Sequence, residues 1–356
     1  MTAESGTLRR PGRPGLHPHA LGRSATPRTT LALLLGLLVL GLLCLASVSI
    51  GSRGIGMDTV WAALSGGEVS ATDRHAVLGL RLPRTLAAVV VGAALAVAGA
   101  LMQSLTRNPL AEPGLLGVSA GSAFAVAIAI VGFGITSPLG YIWFALAGAF
   151  FATVAVALIG GMSAGKVDPM RMVLAGVALS AVLSGVIGAL RLSDPRTFGA
   201  LQVWEAGILA GRGLDVTLTV APLVLLALIV ALPLGKGLNT LALGDELAAA
   251  LGVSLWKTRV LSILAITILA GGAAAIAGPI AFIGLMVPHA ARFFAGADQR
   301  WVLLISLVFG PILMLTADIV ARLIVWPGEM PVGLVSALLG APVLVLLIRR
   351  RKALKL

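Results

Sequence analysis

Apolar runs separated by short polar, glycine- or proline-rich breaks organise this chain, at about 30–50, 85–106, 114–136, 139–162, 170–190, 216–234, 260–277, 280–296, 301–325 and 332–348. About 20 predominantly apolar residues cross a bilayer core as a helix, so the pattern predicts ten membrane spans. The first run, Thr30 to Ile50, is longer than a signal-peptide core, and Gly41-Leu42-Leu43-Cys44 lacks the small residue that precedes a lipidated cysteine. It reads as a retained first helix. Arg9-Arg10 is followed at once by Pro11 and lies far ahead of the apolar run, which argues against a twin-arginine signal. Residues 1–28 hold five arginines, one acid and no apolar periodicity, and read as a disordered tail; 351–356 form a short basic end.

Composition agrees with the pattern. Hydrophobic residues make up 58% of the 356 and charged residues 11%, against about a quarter charged in soluble domains, so a water-soluble domain is excluded. With 44 glycines and only 5% aromatics, the chain suits helices that approach closely through small side chains, and not a barrel with aromatic girdles. The fold class is an all-α membrane protein of ten transmembrane helices, with 29–350 as the membrane domain. One cysteine, Cys44, and four scattered histidines offer neither a disulfide framework nor a clustered metal site. The net charge of +12 lies in short pieces between apolar runs, which points to topology and not to nucleic acid.

Ten spans put both ends on one side. With both termini cytoplasmic, 18 of the 26 cationic residues and every lysine fall inside, as the positive-inside rule requires. The outer face then carries two long loops, 51–84 and 191–215, the second with Trp204 and Glu205. Inside, 235–259 contains two short apolar stretches punctuated by Gly244 and Gly252, predicted as two short helices. Asp245 and Glu246 would occupy the first turn of the second, and its leucines would form an apolar ridge suited to a protein partner.

Gly92-Ala-Ala-Leu-Ala-Val-Ala-Gly99 in span two echoes Gly271-Gly-Ala-Ala-Ala-Ile-Ala-Gly278 in span seven, and the two spans run in opposite directions. Inverted repeats are common in transporters, although chance in an alanine-rich chain accounts for the echo equally well.

Ionisable groups within the spans, which a proton- or sodium-coupled carrier needs, are nearly absent. Asp318 stands four residues before Arg322, the spacing of a local ion pair near the outer end. Glu112, between Pro109 and Pro113, reads as a structural cap or a water contact. Gly160-Gly-Met-Ser-Ala-Gly165-Lys166-Val167 mimics a phosphate loop, but valine replaces the magnesium-binding Ser/Thr and a membrane helix precedes it. No non-membrane stretch is long enough for a nucleotide fold and no catalytic constellation is visible, so energy must come from another chain.

The motifs carry a resemblance. Arg81-Leu-Pro-Arg84-Thr-Leu, Gln103, Arg107-Asn-Pro-Leu-Ala-Glu-Pro-Gly-Leu-Leu-Gly117, Leu241-Ala-Leu-Gly-Asp-Glu, Leu251-Gly-Val, Gly278-Pro-Ile-Ala-Phe-Ile-Gly-Leu-Met-Val-Pro288-His289-Ala-Ala-Arg292, Ala317-Asp-Ile-Val-Ala-Arg322, Glu329-Met-Pro-Val-Gly and Gly340-Ala-Pro342 occur in order. Together they resemble the FecCD-type permease subunits of ABC importers for ferric siderophores, haem and cobalamin, over about 30–350.

The resemblance implies a type II ABC importer permease-like bundle in the bacterial cytoplasmic (inner) membrane. It would pair with a second permease subunit, a copy of itself or a homologue, two cytoplasmic ABC ATPases that hold ATP and magnesium, and an extracytoplasmic substrate-binding protein. This chain itself would hold no catalytic residue, metal or cofactor. Arg81, Arg84 and Arg322 match the family's docking arginines; anchoring helix ends at lipid headgroups is the alternative. Asn108-Pro109-Leu110 matches an inner constriction, or else is a plain turn. Gly244, Asp245, Glu246, Leu251 and Gly252 match the coupling helices that meet the ATPases. His289, without companions, reads as a helix-terminal polar contact and not a metal ligand. Ferric siderophores are the expected cargo, with cobalamin or haem as alternatives by the same mechanism and proton-coupled transport as a remote one.

Overall fold

Backbone groups in a hydrocarbon core must be satisfied within the protein, and an apolar run does so most directly as a helix. The structure, a computed structural model, describes residues 27–51, 54–160, 169–193, 195–326 and 328–353, and every regular element among them is helical. Most of the tail at 1–28, the phosphate-loop mimic beyond Gly160 and the last three residues of the basic end lie outside the described residues.

In chain order the helices are α1 (Pro27–Ser49), α2 (Met57–Ser65), α3 (Ala71–Arg74), α4 (Leu82–Leu105), α5 (Val118–Phe133), α6 (Pro138–Ile159), α7 (Pro169–Ser193), α8 (Pro195–Glu205), α9 (Leu214–Ala231), α10 (Leu234–Leu241), α11 (Asp245–Ala250), α12 (Leu255–Ala277), α13 (Ile283–Ala295), α14 (Gln299–Ile324) and α15 (Val332–Ala353). Among the described residues, α1, α4 with its lead-in, α6, α7, α9, α12 and α14 are long and apolar enough to cross a membrane. The three remaining predicted spans are occupied by the shorter apolar helices α5 and α13 and by Val332–Leu346 of α15.

Two stretches expected as loops contain helix. Within 51–84 lie α2, α3 and a π-helical segment, His75–Arg81, that runs into α4 to make one 35-residue rod from Ala71 to Leu105. Val60 and Ala63 of α2 bury against Val48 and Val77 in a small satellite core, which is why this segment is ordered. In 191–215, α7 continues to Ser193 and α8 follows, opened by Pro195 and ending beside the fully buried Trp204. The opposite correction applies to 280–282, predicted as the start of span eight. Gly278 (φ +80°) before it and Phe282 (φ +70°) within it take left-handed conformations, and α13 begins only at Ile283.

Helices α4 and α12 form the centre of the bundle. The first packs against α13 and α14, the second against α5 and α6, and the two touch each other. That exchange matches an inverted repeat only in part, since α9 packs on both α4 and α12 while its counterpart α1 packs chiefly on α14. Glycines set the approach distance: a Cβ on Gly92 would stand 2.7 Å from the Gly310 carbonyl oxygen, and one on Gly99 would overlap the Gly284 carbonyl. In the other half, a Cβ on Gly271 would lie 2.8 Å from Ala149, and one on Gly278 would overlap the Trp204 carbonyl.

Pro288 lacks an N–H, so within α13 it leaves the Gly284 carbonyl without its helical donor. Gln103, buried on α4, supplies one: its Nε2 donates to the carbonyls of Gly284 (3.2 Å) and Leu285 (3.3 Å), while Arg292 Nη1 donates to its Oε1 (2.5 Å). Gln103→Leu should therefore lower stability by about 1–3 kcal/mol, the cost of orphaning buried polar groups, seen as a lower unfolding midpoint in detergent. An unchanged midpoint would show that this link contributes nothing.

Candidate functional sites at the two ends of α4

The rod through α4 joins two polar clusters on opposite faces of the bundle. On the α2–α3 face, Arg84 donates to Asp318 through Nε (3.0 and 3.2 Å) and Nη2 (2.9 Å), and its Nη1 meets Glu329 Oε2 at 2.5 Å. Arg322, one turn along α14, pairs with the same aspartate and donates to the carbonyls of Ser47 (2.7 Å) and Ile50 (2.8 Å). Arg81 donates to the carbonyls of Val48 (3.1 Å) and Ser49 (2.6 Å). Two guanidinium groups thus complete the C-terminus of α1, where helical carbonyls lack partners and positive charge is favoured.

Asp318 is fully buried, and Arg81, Arg84 and Arg322 are 7%, 8% and 3% exposed. The arginines matched to docking are therefore not displayed as free surface donors. A buried carboxylate needs paired charge, and the end of α1 needs donors, so both draw these side chains inward. Glu329, with 32% of its side chain exposed, is the accessible member of the group.

At the other end of α4, Arg107 adopts φ +51° and Asn108-Pro109-Leu110 forms a turn. Asn108 Oδ1 accepts from Leu110 N (3.0 Å), its carbonyl accepts from Ala111 N (3.0 Å), and its own N–H reaches Gln103 O (3.1 Å), an Asx-type closure. Asn108 is exposed while Pro109 and Leu110 are half-buried.

Beside this turn lie the two short helices expected in 235–259. Helix α10 is fixed to the start of α14: Asn239 Nδ2 donates to Asp298 (2.7 Å) and Gln299 N donates to Asn239 Oδ1 (2.7 Å). Gly244 (φ +110°) makes the corner into α11, and Gly252 (φ +79°) the corner out of it. Leu243, Leu247 and Leu251, spaced by four, are each about half exposed and form the anticipated ridge. Asp245 and Glu246 occupy the first turn of α11. Asp245 meets Arg107 at 2.7 Å and Arg259 of α12 at 2.6 Å. Partial burial opposes its charge, but the hydrogen bonds and charges of Arg259 and Arg107 outweigh that and hold the carboxyl below the ordinary aspartate range. The pairing is consequently kept at neutral pH and lost in acid, as the pH falls through that lowered value.

Glu112 serves as a cap. Its Oε1 accepts from Phe282 N at 2.7 Å, placing a carboxylate at the start of α13, where the helix dipole favours it. It lines a cavity of about 290 Å³ together with Ser119 and Glu205. His289 is exposed on the wall of an apolar groove between α1, α13 and α14, and no metal-ligating group of three or more side chains occurs among the described residues.

Sequence reasoning missed the cross-links. The four-residue spacing revealed Asp318 with Arg322, but Arg84 lies 234 residues from its partner and Arg107 lies 138 from Asp245, and no local pattern reports such distances.

A helical membrane bundle with a buried arginine cluster at one face and a leucine-ridged helix pair at the other defines a polytopic permease subunit. Residues 37–350 match the FecCD transport family, and the chain belongs to it. The ferric enterobactin transport system permease protein FepD of Escherichia coli (strain K12) is 49% identical over 302 residues, covering 85% of this chain and 90% of that protein. The hemin transport system permease protein HmuU of Yersinia pestis is 41% identical over 331 residues, covering 92% and 97%. A solved structure described as an inward-facing conformation of a metal-chelate type ABC transporter superposes with a TM-score of 0.78 at 29% identity, over 90% of this chain and 99% of that one.

Proposed function

We propose that this chain is the transmembrane permease subunit of an ATP-driven importer of ferric siderophores in the bacterial cytoplasmic membrane. It moves cargo by alternating access at the interface of two permease subunits, a copy of itself or a homologue being the second. The carrying observation is the exposed leucine ridge of α11 on a chain with no nucleotide fold in its sequence: an apolar surface on the lysine-bearing side suits a motor subunit. That face is cytoplasmic in this reading, as are both termini. ATP and magnesium belong to the two partner ATPases. Similarity to FepD favours siderophore cargo; similarity to HmuU favours haem as the second reading.

An extracytoplasmic binding protein docks on the α2–α3 face. Since Arg84 already holds Glu329, an acidic side chain of the binding protein engages it by taking the place of that accessible glutamate. Proton coupling is disfavoured because Asp318, the clearest carboxylate within a span, is committed to two arginines.

The test is reconstitution of the chain with its candidate ATPase, with and without binding protein loaded with ferric siderophore. Loaded binding protein should stimulate hydrolysis and drive uptake; uptake that ignores ATP and follows a proton gradient would defeat the proposal. Gly252→Val tests the coupling helices. Space around Gly252 is open, so the variant meets no clash, only the roughly 1–3 kcal/mol strain of a branched residue at positive φ, spent on deforming the end of α11. Uptake should fall by about an order of magnitude in a chain that still inserts, in line with coupling-site effects. Uptake equal to the unmodified importer would count against α11 as the motor contact.

A further inference from the structure

We infer that Arg107 is a positioning residue that ties the coupling segment to the gate turn, delivering movement of α11 to Asn108-Pro109-Leu110 through one side chain. The inference rests on the proposed function, in that it takes α10–α11 as the motor contact and the turn as a constriction.

Geometry carries it. One guanidinium nitrogen, Arg107 Nη2, donates to the carbonyl of Leu241, the last residue of α10, at 2.6 Å and to Asp245 Oδ1, the first residue of α11, at 2.7 Å. Arg107 therefore grips the corner between the two coupling helices from the end of α4. Its own backbone immediately precedes Asn108, whose side chain and carbonyl close the turn on Leu110 and Ala111. Displacing the guanidinium pulls, through the arginine stem, on the residue that opens that turn.

Arg107 and Phe282 are the non-glycine residues with positive φ among the described residues. Arg107 takes that conformation as the residue that closes α4, where Asn108 N donates back to the Gln103 carbonyl at 3.1 Å, so the end of α4 fixes the backbone from which its side chain reaches the corner. The other attachments in the coupling segment lead elsewhere: Asn239 ties α10 to the start of α14, and Arg259 ties Asp245 to α12. Among the described residues, Arg107 links the corner to the turn by side-chain hydrogen bonds.

Stability does not explain the contact. Arg107 and Asp245 have side chains 47% and 45% exposed, and exposed ion pairs contribute little to folding. Both bonds come from one nitrogen, so a lysine ammonium keeps the charge and a donor and falls short only by its shorter, more flexible stem.

The experiment uses the complete importer in liposomes, reading substrate moved per ATP hydrolysed. Arg107→Gln should still co-purify with the ATPase, while that ratio falls about tenfold, within the range for residues along a coupling route. Arg107→Lys should recover part of the loss, and Arg107→Gln combined with Asp245→Asn should cost less than the sum of the two single losses, since both break the Arg107–Asp245 contact. An unchanged ratio in Arg107→Gln, additive losses in the pair, or failure of both Arg107 variants to assemble would each overturn the inference, the last by showing a purely structural role. Failure of the proposed function is separable: it appears in the unmodified importer as absence of ATP-driven uptake.

Discussion

Gly99→Leu should yield no folded permease. Gly99 faces the backbone of Gly284 at the crossing of α4 and α13, and even a Cβ there would overlap the Gly284 carbonyl. Overpacking a core usually costs about 1–3 kcal/mol because flexible neighbours yield; here the obstacle is main chain, so the cost lies at or above the top of that range. The crossing cannot open without disturbing Gln103, which holds the Gly284 and Leu285 carbonyls one turn further along α4. Helices in lipid associate through close packing and not through a hydrophobic drive, so a widened crossing has little to replace what it loses. Expression followed by size-exclusion chromatography in mild detergent reads the outcome. A monodisperse peak with the unmodified melting behaviour would show that α4 and α13 can separate without penalty. Gly41→Leu is the control, because nothing lies within 4 Å of a Cβ at that position.

Asp318→Asn should be nearly as damaging. The carboxylate is fully enclosed and balances Arg84 and Arg322, which are themselves buried. Removing one member of a buried ion pair costs about 3–5 kcal/mol, because an uncompensated charge stays behind. Glu329 retains Arg84 in part and the α1 carbonyls retain Arg322, which places the expected loss toward the lower end. The unfolding midpoint in detergent reads this loss. Replacing Arg84 as well, Asp318→Leu with Arg84→Met, should restore only part of it, since the stranded Arg84 charge goes while Arg322 keeps just the α1 carbonyls. A double variant as unstable as Asp318→Asn would mean that the arginine itself, and not its neutralisation, holds the α1–α4–α14 junction.

The ten apolar runs were legible because a bilayer demands length and hydrophobicity from every span, which shows in the residues themselves. The two short helices of 235–259 were legible for a different reason: Gly244 and Gly252 mark corners that need positive φ, and leucines spaced by four mark a helical ridge. Helices α2 and α8 stayed hidden because they are short and earn order from packing, Val60 on Val77 and Trp204 in the core, and not from hydrophobicity. The apolar runs place a break between 277 and 280, but its extension to Phe282 was concealed by the apolar composition of 280–282; the left-handed Phe282 and the capping carboxylate of Glu112 account for it. The burial of Arg81, Arg84 and Arg322 could not be seen at all, since their partners lie on α1, α14 and the segment before α15.

The broken lead-in to α13 bears on how the chain is made. Thirteen helical residues rise only about 20 Å, short of a hydrocarbon core of roughly 30 Å. The exposed ends of the break find partners elsewhere: Glu112 accepts from Phe282, and the Ala277 carbonyl accepts from Ile208. A nascent chain emerging one span at a time cannot settle α13 in lipid by itself. The loop after α4 and the segment after α8 are synthesised earlier, so their acceptor and donor are waiting when α13 arrives. Membrane insertion of this segment is thereby an assembly step, completed against protein already in place.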